Sequence, residues 1–200
     1  MKKLFLFLNL FAFSYTFGQN VKMELKYGAE TDEINQLFSF QNIYKQSVRL
    51  KGESLNGKHY QIIIKEFKAN KLVKIDTLFD GSETSYFNID GDTTSFNFFA
   101  QTDNNELKVQ IMTPRFSSKK LKFKTFSNNR DYALKDFLGE KKSLDITVGK
   151  PFYAFAVITP TIHKNGSASY CEVAQSDTDP ENFGTKYKIP HYFLVQIVVK

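Results

Sequence analysis

The stretch YQIIIKEFKANKLVKIDTLFD, residues 60–80, decides the fold class. Its first part is almost continuously apolar, which is typical of a strand covered on both faces. Its last part alternates, as a strand does when one face lies on a core. The alternation predicts that one face holds Val73, Ile75, Thr77 and Phe79, opposite Lys74, Asp76 and Leu78. KANK, residues 68–71, has the length of a hairpin loop, so the stretch predicts two antiparallel strands joined by a tight turn.

Similar strand patterns recur along the rest of the chain. Alternating runs occur at VRLKG (48–52), LKVQIM (107–112), LKFKTF (121–126) and LDITV (144–148). PFYAFAVI (151–158) and YFLVQIVV (192–199) are more continuously apolar and predict further central strands. Successive short strands separated by turn signals are typical of sandwiches and barrels. The sequence therefore predicts an all-β fold, an antiparallel β-sandwich or partly open barrel with one or two short connecting helices.

Several turn signals separate these runs. Asn56–Gly57 and Asn165–Gly166 are strong hairpin signals, because both residue types tolerate positive φ. TDNNE, residues 102–106, fits another short loop. In YFNIDGDTTSFNFF, residues 86–99, a hairpin turn at Asp90–Gly91 is predicted between a strand ending at Phe87 and Ile89 and a strand through Phe96 and Phe98.

Two stretches have helical spacing. NNRDYALKDFLGEK, residues 128–141, has Asn129 as a candidate N-cap and Gly139 as a stop, and its apolar face would hold Leu134, Phe137 and Leu138. TDEINQLFSF, residues 31–40, would begin on Thr31 and present Ile34, Leu37 and Phe38. Both are expected to be connectors laid over a sheet.

The N-terminal residues have the layout of an export signal. Lys2 and Lys3 precede an apolar run from Leu4 to Phe13, and small or polar residues follow to Gly18. A membrane span would need about 20 apolar residues, so no span is expected. Residues 1–19 are therefore predicted to be a signal peptide, and the protein is expected to be periplasmic or extracellular. Residues 20–200 are expected to form one β-rich domain, with two packed β subdomains as the alternative.

The charge balance gives little support to a nucleic-acid partner. The chain has 27 Lys plus Arg against 21 Asp plus Glu, a net charge of +6, which falls to +4 without Lys2 and Lys3. The most basic run contains Arg115, Lys119, Lys120, Lys122 and Lys124. It would suit phosphates, but lysines also protect exposed edge strands from aggregation. The edge-strand interpretation is preferred, and no nucleic-acid partner is expected for an exported protein.

No combination of Cys and His residues predicts a catalytic or metal site. Cys171 is the only cysteine, and its alternating neighbours favour a buried, inert thiol over a reactive or intermolecular one. His59, His163 and His191 lack metal-ligand spacing. A thiol enzyme pairing Cys171 with His163 or His191 has no supporting motif. The sequence therefore predicts no catalytic residue.

Two acidic loops are candidates for cation sites. Aligning Gly91 with position 6 of an EF-hand puts Asn88 and Asp90 at ligand positions, but Tyr86 falls at position 1 and Asn97 at position 12, where Glu is required. A hairpin turn at Asp90–Gly91 is therefore preferred to a calcium-binding loop. Asp177, Asp179 and Glu181 are also explained by a capped helical turn, in which Asp179 caps, Pro180 follows and Gly184 ends the turn. No metal or cofactor is therefore predicted, with a weak metal site at this second loop as the alternative.

Aromatic residues suggest a binding role. The chain has 21 Phe and 10 Tyr but no Trp. Most are expected in the core, but an exposed Tyr can stack on a sugar. Tyr153, Tyr187 and Tyr192 lie near turns and are the candidates.

Three stretches carry a resemblance to known proteins: residues 60–80, YALKDF (132–137) and YKIPHYFLVQIVVK (187–200). In these stretches the chain resembles exported all-β protein families of Bacteroidetes-type bacteria for which no activity is known. The resemblance implies export and a β domain, and it implies no site residues.

Three classes of function fit these features. A binding or interaction module of the cell envelope, with a protein or glycan ligand, is preferred, and it should expose an apolar or aromatic patch. An envelope hydrolase assembled from separate strands should show a concave pocket with converging polar groups. A structural subunit of a surface assembly should show an open edge strand.

Overall fold

The computed structural model describes residues 20–125, 132–170 and 178–200. Within these ranges the chain forms two antiparallel sheets that curl into a half-barrel, accompanied by two short α-helices. The predicted all-β class is confirmed. None of the helices in these ranges is long and apolar enough to cross a membrane. The predicted signal peptide, Cys171 and Asp177 lie outside the described residues.

The first sheet has six strands. From edge to edge they are β7 (Leu121–Lys124), β6 (Glu106–Met112), β5 (Thr93–Asp103), β2 (Ile43–Lys51), β1 (Asn20–Tyr27) and β9 (Leu144–Thr147). Alternation is regular in β6, where Leu107, Val109 and Ile111 are all buried. β7 is an edge strand, as predicted for the basic run. Its Phe123 points inward, while Lys122 and Lys124 are exposed.

The second sheet has five strands. In order they are β4 (Lys71–Asp80), β3 (Tyr60–Lys68), β13 (His191–Val199), β10 (Phe152–Ile158) and β8 (Ala133–Asp136). The three nearly continuous apolar runs thus supply the three central strands, as predicted. Two residues each from β11 (Thr161–Ile162) and β12 (Ala168–Ser169) form a separate small hairpin.

The main core fills the space between the sheets. Phe98 and Phe155 contact each other across it, with ring centroids 4.8 Å apart. A smaller apolar cluster lies on the outer face of the five-stranded sheet, where Phe67 stacks on Tyr192 at 4.7 Å. The first helix, α1, spans Asp32–Phe40, and the second, α2, spans Phe183–Tyr187. Helix α2 covers this outer cluster through Phe183.

Three of the predicted hairpins are confirmed. Ala69 and Asn70 have φ of 46° and 67° between β3 and β4, and Asn104 and Asn105 have φ of 48° and 60° between β5 and β6. The Asn165–Gly166 turn joins β11 to β12.

Two predicted hairpins are wrong. The Asn56–Gly57 and Asp90–Gly91 turns do not join neighbouring strands, because β2 to β3 and β4 to β5 pass from one sheet to the other. Gly57 and Gly91 do have positive φ, 73° and 88°. Residues 85–87, which include the predicted strand end at Phe87, form a short 3-10 turn. The preference of Asn-Gly and Asp-Gly for positive φ depends only on neighbouring residues. Which sheet the next strand joins depends instead on pairing with residues distant in sequence.

The two predicted helices have different outcomes. The helix over residues 128–141 is wrong, because residues 133–136 form β8 and pair with β10; Asn129 lies outside the described part. Helix α1 is confirmed, with Thr31 at its N-cap. Phe38 contacts Phe99 of the six-stranded sheet, edge to face at 6.2 Å. However, no residue of α1 is buried.

The predicted faces of β4 are also corrected. Irregularities in the pairing, opposite Ile62/Ile63 and Glu66/Phe67, shift the alternation. Leu78 is consequently buried, whereas Val73 and Ile75 are 50% and 54% exposed. A β-bulge reverses the facing of the residues beyond it, which simple alternation does not detect.

Gly81 allows the chain to pass close to the start of β3. A Cβ at this position would lie 2.9 Å from the carbonyl oxygen of Tyr60 and 3.0 Å from Cβ of His59. We expect Gly81→Ala to lower the free energy of unfolding by about 1–3 kcal/mol, because backbone must move. Urea denaturation followed by circular dichroism measures the free energy of unfolding. Glu83→Ala, at an exposed position of the same turn, is the control. An unchanged midpoint for Gly81→Ala would contradict the packing described.

Candidate functional site

A cavity of about 740 Å³ opens at one end of the sandwich. Two segments that pass between the sheets lie there, residues 52–59 between β2 and β3 and residues 81–92 between β4 and β5, and they are called the two crossover segments below. Its walls come from residues 56–57, the 85–90 segment, the start of β5 and the 113–116 loop that follows β6. Ligand sites in proteins commonly have volumes of roughly 300–1,000 Å³. The cavity is therefore large enough for a small organic ligand.

Hydrogen bonds between the two crossover segments hold this wall in place. Gly57 N donates to Ile89 O at 2.9 Å, and Ile89 N donates to Lys58 O at 2.7 Å. Gly91 N donates to the side-chain Oδ1 of Asn56 at 3.0 Å. The segments are thus tied at several points, and the cavity wall is formed before any ligand binds.

The floor of the cavity is aromatic. Tyr60 is only 2% exposed and stacks on Phe96 at 5.4 Å, so the floor is continuous with the core. Phe116 contacts Phe87 at 4.7 Å and Phe79 at 4.9 Å. Burial raises the pKa of the Tyr60 hydroxyl, which therefore stays protonated at neutral pH. These rings give the cavity an apolar base.

Tyr86 and Arg115 form a clamp at the rim. The Arg115 guanidinium carbon lies 4.4 Å from the centroid of the Tyr86 ring, within the range of a cation–π contact. Arg115 Nη2 donates to the Tyr86 carbonyl at 2.5 Å, and the Tyr86 hydroxyl donates to the Arg115 carbonyl at 3.3 Å. The clamp joins the two loops, while the Tyr86 ring remains 51% exposed. An aromatic surface is thus held ready at the mouth.

The remaining lining is mostly neutral and polar. Its polar members are Asn56, Ser85, Asn88, Thr93, Thr94, Ser95 and Thr113, together with the carboxylate of Asp90, and its other members are Gly57, Ile89 and Pro114. Among the described lining residues there is no His, Cys, Glu or Lys. The amide and hydroxyl side chains of the lining can donate and accept hydrogen bonds to a ligand.

The calcium interpretation gains no support from the geometry. Asn88 and Asp90 do lie in the cavity wall, but Tyr86 contributes its ring to the clamp. Asn97, at the position that requires a bidentate Glu, lies in β5 and accepts a hydrogen bond from Ser47 at 2.7 Å. Within the described ranges, no three His, Cys, Asp or Glu side chains form a metal-binding group.

A second cavity, of about 410 Å³, lies beside α1. Tyr27, Phe38 and Tyr44 are among its lining residues, with Asn35 as a polar member. The Asn35 side chain accepts from Ala29 N at 2.7 Å and donates to the carbonyl oxygens of Ala29 and Thr31. The Asn35 side chain therefore holds its own loop in place.

The three histidines lie in separate places. The His59 backbone pairs with that of Lys200. His163 is hydrogen-bonded through Nε2 to the Ser169 hydroxyl at 2.9 Å in the small hairpin. His191 is fully buried in the core at the start of β13.

His191 belongs to a buried polar network that the sequence did not reveal. Its Nδ1 lies 2.5 Å from the Tyr132 hydroxyl and its Nε2 lies 3.0 Å from Glu66 Oε1. Lys68 Nζ pairs with the same carboxylate at 2.7 Å. Such a group assembled from separate strands is what a hydrolase would need. However, His191, Tyr132 and Glu66 are 0%, 1% and 5% exposed, so a substrate cannot reach them. The network satisfies buried polar groups.

The acidic loop before α2 forms the predicted capped turn. Asp179 accepts from Glu181 N at 3.1 Å, and Pro180 begins the turn. Gly184 does not end it, because this residue lies inside α2. Glu181 accepts from Lys65 Nζ at 2.7 Å and also bonds the Tyr153 hydroxyl, and these bonds lower the pKa of the Glu181 carboxyl. Its role is to fasten this segment to the sheet.

The tyrosines proposed for sugar stacking are mostly unavailable. Tyr192 and Tyr187 are 0% and 8% exposed, and the Tyr153 hydroxyl is engaged with Lys65 and Glu181. Tyr86, at the crossover-end cavity, is 51% exposed, and Tyr27, at the second cavity, is 57% exposed. The sequence marks Tyr86 only as a failed calcium ligand, because its partner Arg115 lies 29 residues away.

Comparison of the chain with protein-family models gave no match, and comparison with curated proteins gave none.

The buried histidine should make the stability depend on pH. Desolvation lowers the pKa of His191 from 6.5 to about 4, although the Glu66 carboxylate raises it in part. The unfolded chain therefore binds more protons between these values. The stability that comes from a neutral His191 should be fully present above pH 6.5, the ordinary pKa. Below that pH the free energy of unfolding should fall by about 1.36 kcal/mol per pH unit, or about 3 kcal/mol by pH 4.

Urea denaturation between about pH 7 and about pH 4.5 tests this dependence. We expect His191→Gln to be less stable at neutral pH but to lose less stability on acidification than the wild-type protein. Equal losses in the two proteins would contradict the buried, neutral state of His191.

Proposed function

We propose that this protein is an exported binding protein of the cell envelope and that the cavity at the crossover end holds a saccharide unit. The observation that carries the proposal is the combination of an aromatic base, an exposed Tyr86 ring and neutral hydrogen-bonding side chains in one cavity. Export is supported by the signal-like pattern of residues 1–19.

A saccharide has the two kinds of surface that this cavity complements. Its C–H face is apolar and packs on aromatic rings, as on Tyr86 at the rim. Its hydroxyl groups both donate and accept hydrogen bonds, and Asn, Ser and Thr side chains do the same. Asn88, Thr94 and Ser95 supply such groups along the wall.

Binding without hydrolysis is supported by the charged groups in the lining. Glycoside hydrolysis normally uses two carboxylic acids that flank the scissile bond. Asp90 is the one carboxylate among the described lining residues. Arg115 is already fixed by Tyr86 and acts as a positioned hydrogen-bond donor. The protein therefore captures its ligand and releases it unchanged.

Titration with a panel of neutral and acidic oligosaccharides, followed by calorimetry, tests the proposal. We expect Tyr86→Ala to weaken binding about tenfold or more, because about 1.4 kcal/mol of stacking corresponds to a factor of ten. Arg115→Ala should also weaken binding, since it removes the clamp that orients the Tyr86 ring.

Tyr27→Ala is the matched control, because Tyr27 is similarly exposed, at 57%, but lies at the second cavity. It should leave the affinity unchanged. Loss of binding in Tyr27→Ala but not in Tyr86→Ala would move the site to α1, and absence of binding to every member of the panel would reject the saccharide class.

A further inference from the structure

The first half of β4 is an open edge with exposed apolar side chains. β4 ends the five-stranded sheet, and β3 is its one sheet partner among the described strands. Leu72, Val73 and Ile75 are 44%, 50% and 54% exposed. The edge strand β7 differs, since it buries Phe123 and turns Lys122 and Lys124 to solvent. In β4, by contrast, the exposed apolar side chains stand beside two exposed lysines, Lys71 and Lys74.

The bulge near Val73 determines which β4 side chains share a face. Leu72 lies opposite Phe67 and Ile75 lies opposite Lys65. Phe67 and Lys65 point to the outer face of the sheet, where they contact Tyr192 and Glu181. Leu72 and Ile75 are thus on one face although they are three residues apart.

The two charged residues flanking this pair share the other face. Lys71 lies opposite Lys68 and Asp76 lies opposite Ile64, and both partners are on the inner side of β3. In a regular strand, residues five apart would point to opposite faces. The bulge therefore places Leu72 on the same face as Ile75, and Lys71 on the same face as Asp76.

We propose that β4 pairs antiparallel with β4 of a second copy of this chain, around a two-fold axis between Val73 and Lys74. In this register Leu72 lies opposite the partner's Ile75, and Lys71 lies opposite the partner's Asp76. The apolar pairs meet on the outer face and the opposite charges meet on the inner face. A two-fold interface requires this kind of self-complementarity.

The pairing joins two five-stranded sheets into one continuous sheet. It adds the partner's Lys71 to the ion pair that Asp76 already makes with Lys74 at 2.7 Å. It covers the exposed parts of Leu72 and Ile75, which are 44% and 54% exposed in one copy. None of residues 71–76 lines the cavity at the crossover end, so the dimer leaves this cavity open in each of the two copies.

Sedimentation velocity over protein concentrations of roughly 1 μM to 1 mM tests the proposal. The wild-type mass should double with rising concentration. Lys71→Asp and Asp76→Lys should each remain monomeric, because each brings like charges together across the axis. An equimolar mixture of the two variants should dimerise, since positions 71 and 76 carry opposite charges across the axis in both halves of the mixed dimer.

Controls separate this interface from other causes. Lys122→Asp, on the β7 edge, should dimerise like the wild type. Circular dichroism should confirm that each variant is folded. Leu72→Glu, at an exposed position, provides a second route to a monomer if Asp76→Lys fails to fold. A wild-type protein that stays monomeric throughout, a Lys71→Asp variant that still dimerises, or a mixture that stays monomeric would each overturn the proposal.

Discussion

The hydrogen bonds between the two crossover segments are the interaction on which the rest of the structure depends. Two sheets that share no strand must be connected by chain that leaves one sheet and enters the other, and these connections carry polar backbone that needs partners. Here the 56–58 and 89–91 segments supply each other's partners through Gly57, Ile89 and Asn56. Because the segments are fastened together, the sheets meet at a fixed spacing at this end. The cavity is the space that remains between the joined segments and the 113–116 loop.

The two ends of β3 serve different purposes. At its first residue, Tyr60 supplies an aromatic base to an open cavity. At its far end, Glu66 enters a buried polar network with His191 and Tyr132, and the partly exposed Lys68 pairs with the Glu66 carboxylate. A buried ionisable group is tolerated when its hydrogen bonds are satisfied, and removal of one partner leaves the others desolvated. One end of the sandwich is therefore available for a ligand, whereas the other is used for internal cohesion.

Much of the fold could be predicted because strand alternation is a local property. The central strands and three hairpins follow from residues that are close in sequence, such as Asn104 and Asn105. Long-range choices could not be predicted. Residues 133–136 have helical spacing but pair with β10, and the Asn56–Gly57 turn leads into a different sheet. The site is harder still, because Tyr86 and Arg115 are 29 residues apart and Glu66 and His191 are 125 apart. No motif at fixed spacing marks residues that only the completed fold brings together.

Tyr60 belongs to two structures at once. It forms part of the cavity floor, and it is also a core residue that contacts Phe79 and Phe96. A substitution that reshaped the floor would therefore open a hole in the core and destabilise the whole domain. Tyr86 and Arg115 lie at the rim and are not part of the core. Evolution within this lineage can consequently change ligand preference at the rim far more readily than at the floor, and the base of the cavity should vary as slowly as the interior itself.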